Sequence, residues 1–124
     1  MIRLSREVMA AFRADAELRR DRDTAARFRA KNRAEVAHLD DDALLAAIKA
    51  ARETAVSFGI SDQELRVRFI MLDVFRLPGF WRDKTAQKML RAETGTPETR
   101  FGDVCAFLKQ GAIRTGKPTY VWWS

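Results

Sequence analysis

An all-α bundle is what this sequence predicts, and three observations predict it. Apolar residues recur at three- and four-residue spacing along most of the chain, capping residues together with glycine and proline mark where these stretches start and stop, and no alternating run is long enough for a strand. The expected architecture is a single-domain bundle of five to six helices with an extended aromatic C-terminal tail. Residues 1–39 form an N-terminal helical arm, residues 40–111 the helical core and residues 112–124 the tail.

Each element has its own signal. In "RLSREVMAAFRADAELRR", Ser5 is an N-cap, Glu7 sits in the first turn, and Val8, Met9, Phe12 and Ala16 share one helical side. Arg19 to Thr24 then carries no apolar side chain, which fits either a solvated part of one long helix or a break capped at Asp23 or Thr24. Ala25, Phe28, Val36 and Leu39 return to helical spacing, and Asn32 interrupts them. Asp40 to Asp42 cap the next helix, whose stripe is Leu44, Leu45, Ile48, Ala51, Ala55 and Phe58, with Gly59 as its stop.

Ser61 and Glu64 have the spacing of a capping box, with Ile60 and Leu65 as its staple. The helix that follows is apolar on nearly all sides from Leu65 to Phe75, which marks it as central, and Pro78 with Gly79 ends it. "FWRDKTAQKMLRAE" predicts a shorter helix with Phe80, Trp81, Met89 and Leu90 turned inward, closed by Gly95. Thr96, Pro97 and Glu98 start the last helix, and Phe101, Val104, Cys105 and Leu108 are its inner face. Beyond Gly111, Gly116 and Pro118 favour an extended tail.

Composition narrows the function classes. With 124 residues, 47% of them hydrophobic and 32% charged, the chain can bury a core without staples. The absence of a long apolar run argues against a signal peptide or membrane anchor, and with the lone Cys105 it makes the cytoplasm the expected compartment. A formal charge of +6 favours acidic partners.

No catalytic, cofactor or metal motif is present, so the sequence predicts a non-enzyme without cofactor. Cys105 reads as a buried structural thiol, His38 as a helix-end residue able to contact terminal carbonyls, and Asp40 to Asp42 as caps. "ETAVSFGISDQELRVRF" has the outline of a helix-turn-helix in which Arg66 and Arg68 could reach phosphates, although Arg68 stands where that motif wants a buried aliphatic. Arg13 to Arg33 mixes both signs and is expected to be a solvated face. In "KPTYVWWS", adjacent indoles on an extended chain point opposite ways, which suits an anchor on a partner as well as a tail folded back on its own domain.

The opening "MIRLSREVM" and the hairpin "AARETAVSFGISDQELRVRFIMLD", followed by "PGFW", resemble small helical proteins encoded beside type VI secretion spike, PAAR-effector and adaptor genes. The resemblance covers roughly the first two-thirds of the chain. It implies a co-adaptor or accessory chaperone that assists effector loading, and a protein partner that is a secretion adaptor or effector. No functional residue is implied by it. The expected partner-binding residues come from the tail and its border: Tyr120, Val121, Trp122 and Trp123, with Arg114 and Lys117 on the rim, assisted by exposed faces of the first and last helices. The alternative is a basic helix-turn-helix-like DNA-binding regulator, and self-assembly through the same surface competes with the protein-binding reading.

Overall fold

In the computed structural model the described residues are 5–114, with side chains described for residues 5–111. Among them every regular element is helical: α1 (Arg6–Lys31), α2 (Arg33–Val36), α3 (Asp41–Ser57), α4 (Gln63–Met71), α5 (Lys84–Leu90) and α6 (Pro97–Arg114), with a π-helical turn and a 3-10 turn between α4 and α5. By compactness the chain divides into two units, Met1–Lys49 and Ala50–Ser124, with the division inside α3. The first turns of α3 supply the buried Leu44 and Ile48, and Arg29 of α1 bonds to the Leu39 carbonyl and to the Asp41 carboxylate.

In the first unit, Ser5 caps α1 by accepting from the Val8 N–H, as its position predicts. Arg19 to Thr24 does not break the helix, which runs through to Lys31. Nor is the segment wholly solvated: Asp21 and Thr24 are buried, and the Thr24 hydroxyl donates to the Arg20 carbonyl within its own helix at 2.9 Å. Asn32 ends α1, its N–H reaching the Phe28 carbonyl at 2.7 Å, and its side-chain amide donates to Glu35 in the short α2. Phe28, Val36, Leu44 and Ile48, all from this unit, are each 1% exposed or less. Asp40 caps α3 through the Ala43 N–H at 2.7 Å.

The second unit packs around rings. Phe69 lies at its centre, with ring centroids 4.9 Å from Phe80, 5.5 Å from Phe101 and 6.2 Å from Phe58. Ala55, Ile60, Leu72, Ala86, Leu90, Val104 and Cys105 complete the cluster, with Leu65, Trp81, Met89 and Leu108 partly buried against it. The expected capping box does not form. Asp62, not Ser61, caps α4 by accepting from Leu65 at 2.9 Å, while the Ser61 N–H and hydroxyl both donate to Glu98 Oε1 at the start of α6. Two adjacent residues could each serve as cap, and Glu98 claims the first of them.

Past Met71 the backbone widens into a π turn, Leu72–Arg76, closed by the Leu77 N–H on the Leu72 carbonyl. Leu77 precedes Pro78 and leaves the helical region, with φ −141 and ψ 71. Asp73 accepts from the Gly79 N–H, which fixes the reversal. The single helix expected over "FWRDKTAQKMLRAE" is interrupted: Phe80–Arg82 is a 3-10 turn, and Asp83 starts α5 by accepting from Thr85 and Ala86. Arg100 joins α6 to the end of α5 and the loop after it, donating to the carbonyls of Leu90, Thr94 and Gly95. Thr96 caps α6 reciprocally with Thr99, and the helix continues past Gly111 to Arg114, so residues 112–114 belong to it and not to an extended tail.

Candidate functional site

Of the partner-binding residues expected from the sequence, Lys117, Tyr120, Val121, Trp122 and Trp123 lie outside the described residues, as does the side chain of Arg114, whose backbone closes α6. Among the described residues the exposed apolar surface gathers on α1. Val8 is 41% exposed, Met9 48% and Phe12 60%, and the partly exposed Ala16 continues their line. Outside that stripe, the other large, apolar and exposed residues among those described are Leu18 on another side of α1, Val56 and Phe107, scattered singly as surface apolar residues commonly are. Phe107 is the outward residue of α6, whose inner face is Phe101, Val104 and Cys105 as the sequence predicts.

The orientation of the α1 stripe decides its meaning. At about 100° per residue, Phe12 and Phe28 point about 160° apart around the helix axis. Phe28 is 1% exposed and Phe12 is 60% exposed. The side that the C-terminal half of α1 buries is therefore nearly opposite to the side on which its N-terminal half is apolar. One helix carries two apolar faces, one buried and one exposed. The charges beside the stripe are sorted as well. Asp15 and Arg19 pair with each other at 2.9 Å on the Val8 side. On the Met9 side Arg6 and Arg13 are exposed, with no hydrogen bond or ion pair from either side chain to another described residue.

Among the described residues no group of three or more His, Cys, Asp or Glu could hold a metal ion. Burial pushes the Cys105 thiol up to about 12, against a small lowering by the Arg68 charge, so it stays protonated and unreactive at neutral pH. His38 is exposed; the carbonyls at that helix end are taken by Arg29, which donates to Val36 and Leu39. Among the described residues, Arg29, Arg33 and Ala37 line an open cleft of about 470 Å³.

The helix-turn-helix outline fares poorly as a phosphate site. Arg66 turns back to donate its Nε–H to the Ile60 carbonyl at 2.6 Å, and the exposed start of α4 carries the carboxylates of Asp62 and Glu64. Arg68 is exposed where the motif wants a buried aliphatic. No helix among the described residues is long and apolar enough to cross a membrane. The chain matches no family model, no curated protein and no solved structure.

Proposed function

We propose that this protein is a non-catalytic binding module that covers apolar surface on a protein partner, using the Val8, Met9 and Phe12 stripe of α1. The observation that carries the reading is the exposure of Phe12, 60%, on the side of α1 opposite the buried Phe28. Burying what these three side chains leave exposed is worth on the order of 5 kcal/mol before the costs of association, enough for an anchor but not for a whole interface. The aromatic segment Tyr120, Val121, Trp122 and Trp123, bordered by Arg114 and Lys117, is the second anchor in this reading. In its specific form the partner is a secretion effector or adaptor, and the module acts as co-adaptor or accessory chaperone during loading. That form draws on the resemblance of "MIRLSREVM" and the following hairpin alone.

The test is a photo-crosslinking residue placed at position 12, or for comparison at the exposed Glu53 of α3, in cells that express the protein. A defined protein adduct from position 12 and none from position 53 is the expected result. Absence of any adduct at position 12, or the same adducts from both positions, would remove the α1 anchor. Truncation after Lys117 tests the tail in the same way, since unchanged fold and unchanged partner affinity would remove it from the interface.

A further inference from the structure

Arg6, Arg13 and Arg20 recur at seven-residue intervals, so on α1 they form a row that drifts only about 20° per interval. The row lies within about 60° of Met9 around the axis, directly beside the apolar stripe. All three side chains are exposed, and none has a hydrogen bond or ion pair to another described residue. On the other border of the stripe Asp15 and Arg19 pair with each other, and Arg22 follows Asp15 by seven residues. In the linear sequence the signs look mixed; on the helix the three arginines fall between the apolar stripe and Glu17, which lies on the far side of the row, while the other border carries the Asp15–Arg19 pair and Arg22.

On that arrangement, which rests on the protein-binding reading above, we propose that α1 docks an acidic amphipathic helix of another protein. The apolar residues of the partner helix cover Val8, Met9 and Phe12, and its carboxylates run along Arg6, Arg13 and Arg20. A second copy of this chain fits less well. An antiparallel pair of α1 helices would set the arginine row against itself, and a parallel pair would set it against Val8, Asp15 and Arg22, of which Asp15 already serves Arg19. A phosphate backbone would use the row and leave Phe12 uncovered.

The experiment uses the full chain and two synthetic three-heptad helical peptides with leucine at the apolar positions, one with glutamate and one with lysine at the flanking positions. The glutamate peptide should bind about tenfold or more tightly, with the preference shrinking as salt is added. Phe12→Asp should abolish its binding, and the triple change Arg6→Glu, Arg13→Glu, Arg20→Glu should reverse the preference. Because all four side chains are exposed, both variants should keep the parent circular dichroism and melting temperature.

Equal binding of the two peptides, or indifference to the triple reversal, overturns the proposal. If the crosslink at position 12 persists in that case, the protein-binding reading stands without it; if crosslink and peptide binding are both absent, both fall. Two other outcomes also overturn it: dimerisation in sedimentation that Phe12→Asp abolishes, and salt-sensitive duplex DNA binding that Phe12→Asp leaves intact.

Discussion

The assignment of two opposite apolar faces to α1 stands or falls on a comparison of two phenylalanines in one helix. Phe28 is 1% exposed, so Phe28→Ala removes nearly all of a buried ring and leaves a cavity. That change should cost about 3–5 kcal/mol. Phe12 is 60% exposed, and Phe12→Ala should stay within about 0.5 kcal/mol, because most of the ring is already in water and alanine has the better helix propensity. For a chain of this size 1 kcal/mol moves the midpoint by about 4 °C, so the first variant should melt roughly 12–20 °C lower and the second within about 2 °C of the parent. Urea unfolding followed by circular dichroism at 222 nm gives both free energies. A loss above about 2 kcal/mol for Phe12→Ala would mean that the stripe is covered within the chain, and a loss below about 1 kcal/mol for Phe28→Ala would mean that the other face is not the buried one.

The clamp at Glu98 has a pH signature. Donation from the Ser61 N–H, followed by the backbone N–H of Glu98 and the Ser61 hydroxyl, lowers its carboxyl from 4.5 to about 2, so its contribution is complete above 4.5 and is lost as pH falls from there toward 2. Glu98→Gln should flatten the stability profile over that interval, and a carboxyl carbon titration by NMR with a midpoint near 4.5 would refute the clamp. Gly59 has φ +84, and an added Cβ would stand 3.0 Å from Pro97 Cγ, whereas Gly102 has nothing within 4 Å. Gly59→Ala should therefore destabilise by about 1–2 kcal/mol and Gly102→Ala stabilise by about 0.5–1 kcal/mol in the same urea assay, and effects of equal sign would be contrary to this geometry. Cys105, with its thiol raised to about 12, should resist a thiol-disulfide reagent at mildly alkaline pH until the protein unfolds; prompt labelling of the native protein would show it accessible.

Most helix starts are legible in the sequence because capping is local. Ser5, Asp40 and Thr96 each accept from an N–H three residues ahead, which a short window of sequence contains. Where the sequence misleads, the physical origin is a partner that such a window does not contain. Ser61 has the spacing for a box with Glu64, but Glu98, 37 residues away, takes both of its donors and leaves the cap to Asp62. Asp21 and Thr24 carry no apolar signal, so nothing in their spacing announces their burial. Asp83 has a readable signal, an acidic residue with free N–H groups two and three positions on, yet it is hidden inside a pattern that looks helical on both sides. At the candidate site the stripe itself is visible as Val8, Met9, Phe12 and Ala16. Whether it faces inward depends on where the buried side of the same helix falls, and Phe28 supplies that reference only in three dimensions.

A helix whose N-terminal half carries exposed apolar residues must be held helical by something other than burial of that stripe. Local terms are available: the Ser5 cap, the Asp15–Arg19 pair at four-residue spacing, and the alanines at positions 10, 11, 14 and 16. They keep the stripe in line before a partner arrives, so docking need not include the cost of ordering it. Ala10 and Ala14 are exposed and lie away from Phe12, by about 160° around the axis at 100° per residue. The double change Ala10→Gly, Ala14→Gly leaves every side chain of the stripe in place yet weakens the helix by about 1 kcal/mol per site. If preorganisation matters, the variant should bind the glutamate peptide roughly tenfold more weakly and lose helical signal in the free protein, while the bound complex recovers it. Unchanged affinity alongside lost helicity would mean that the partner, and not the alanine-rich arm, orders the face on which it docks.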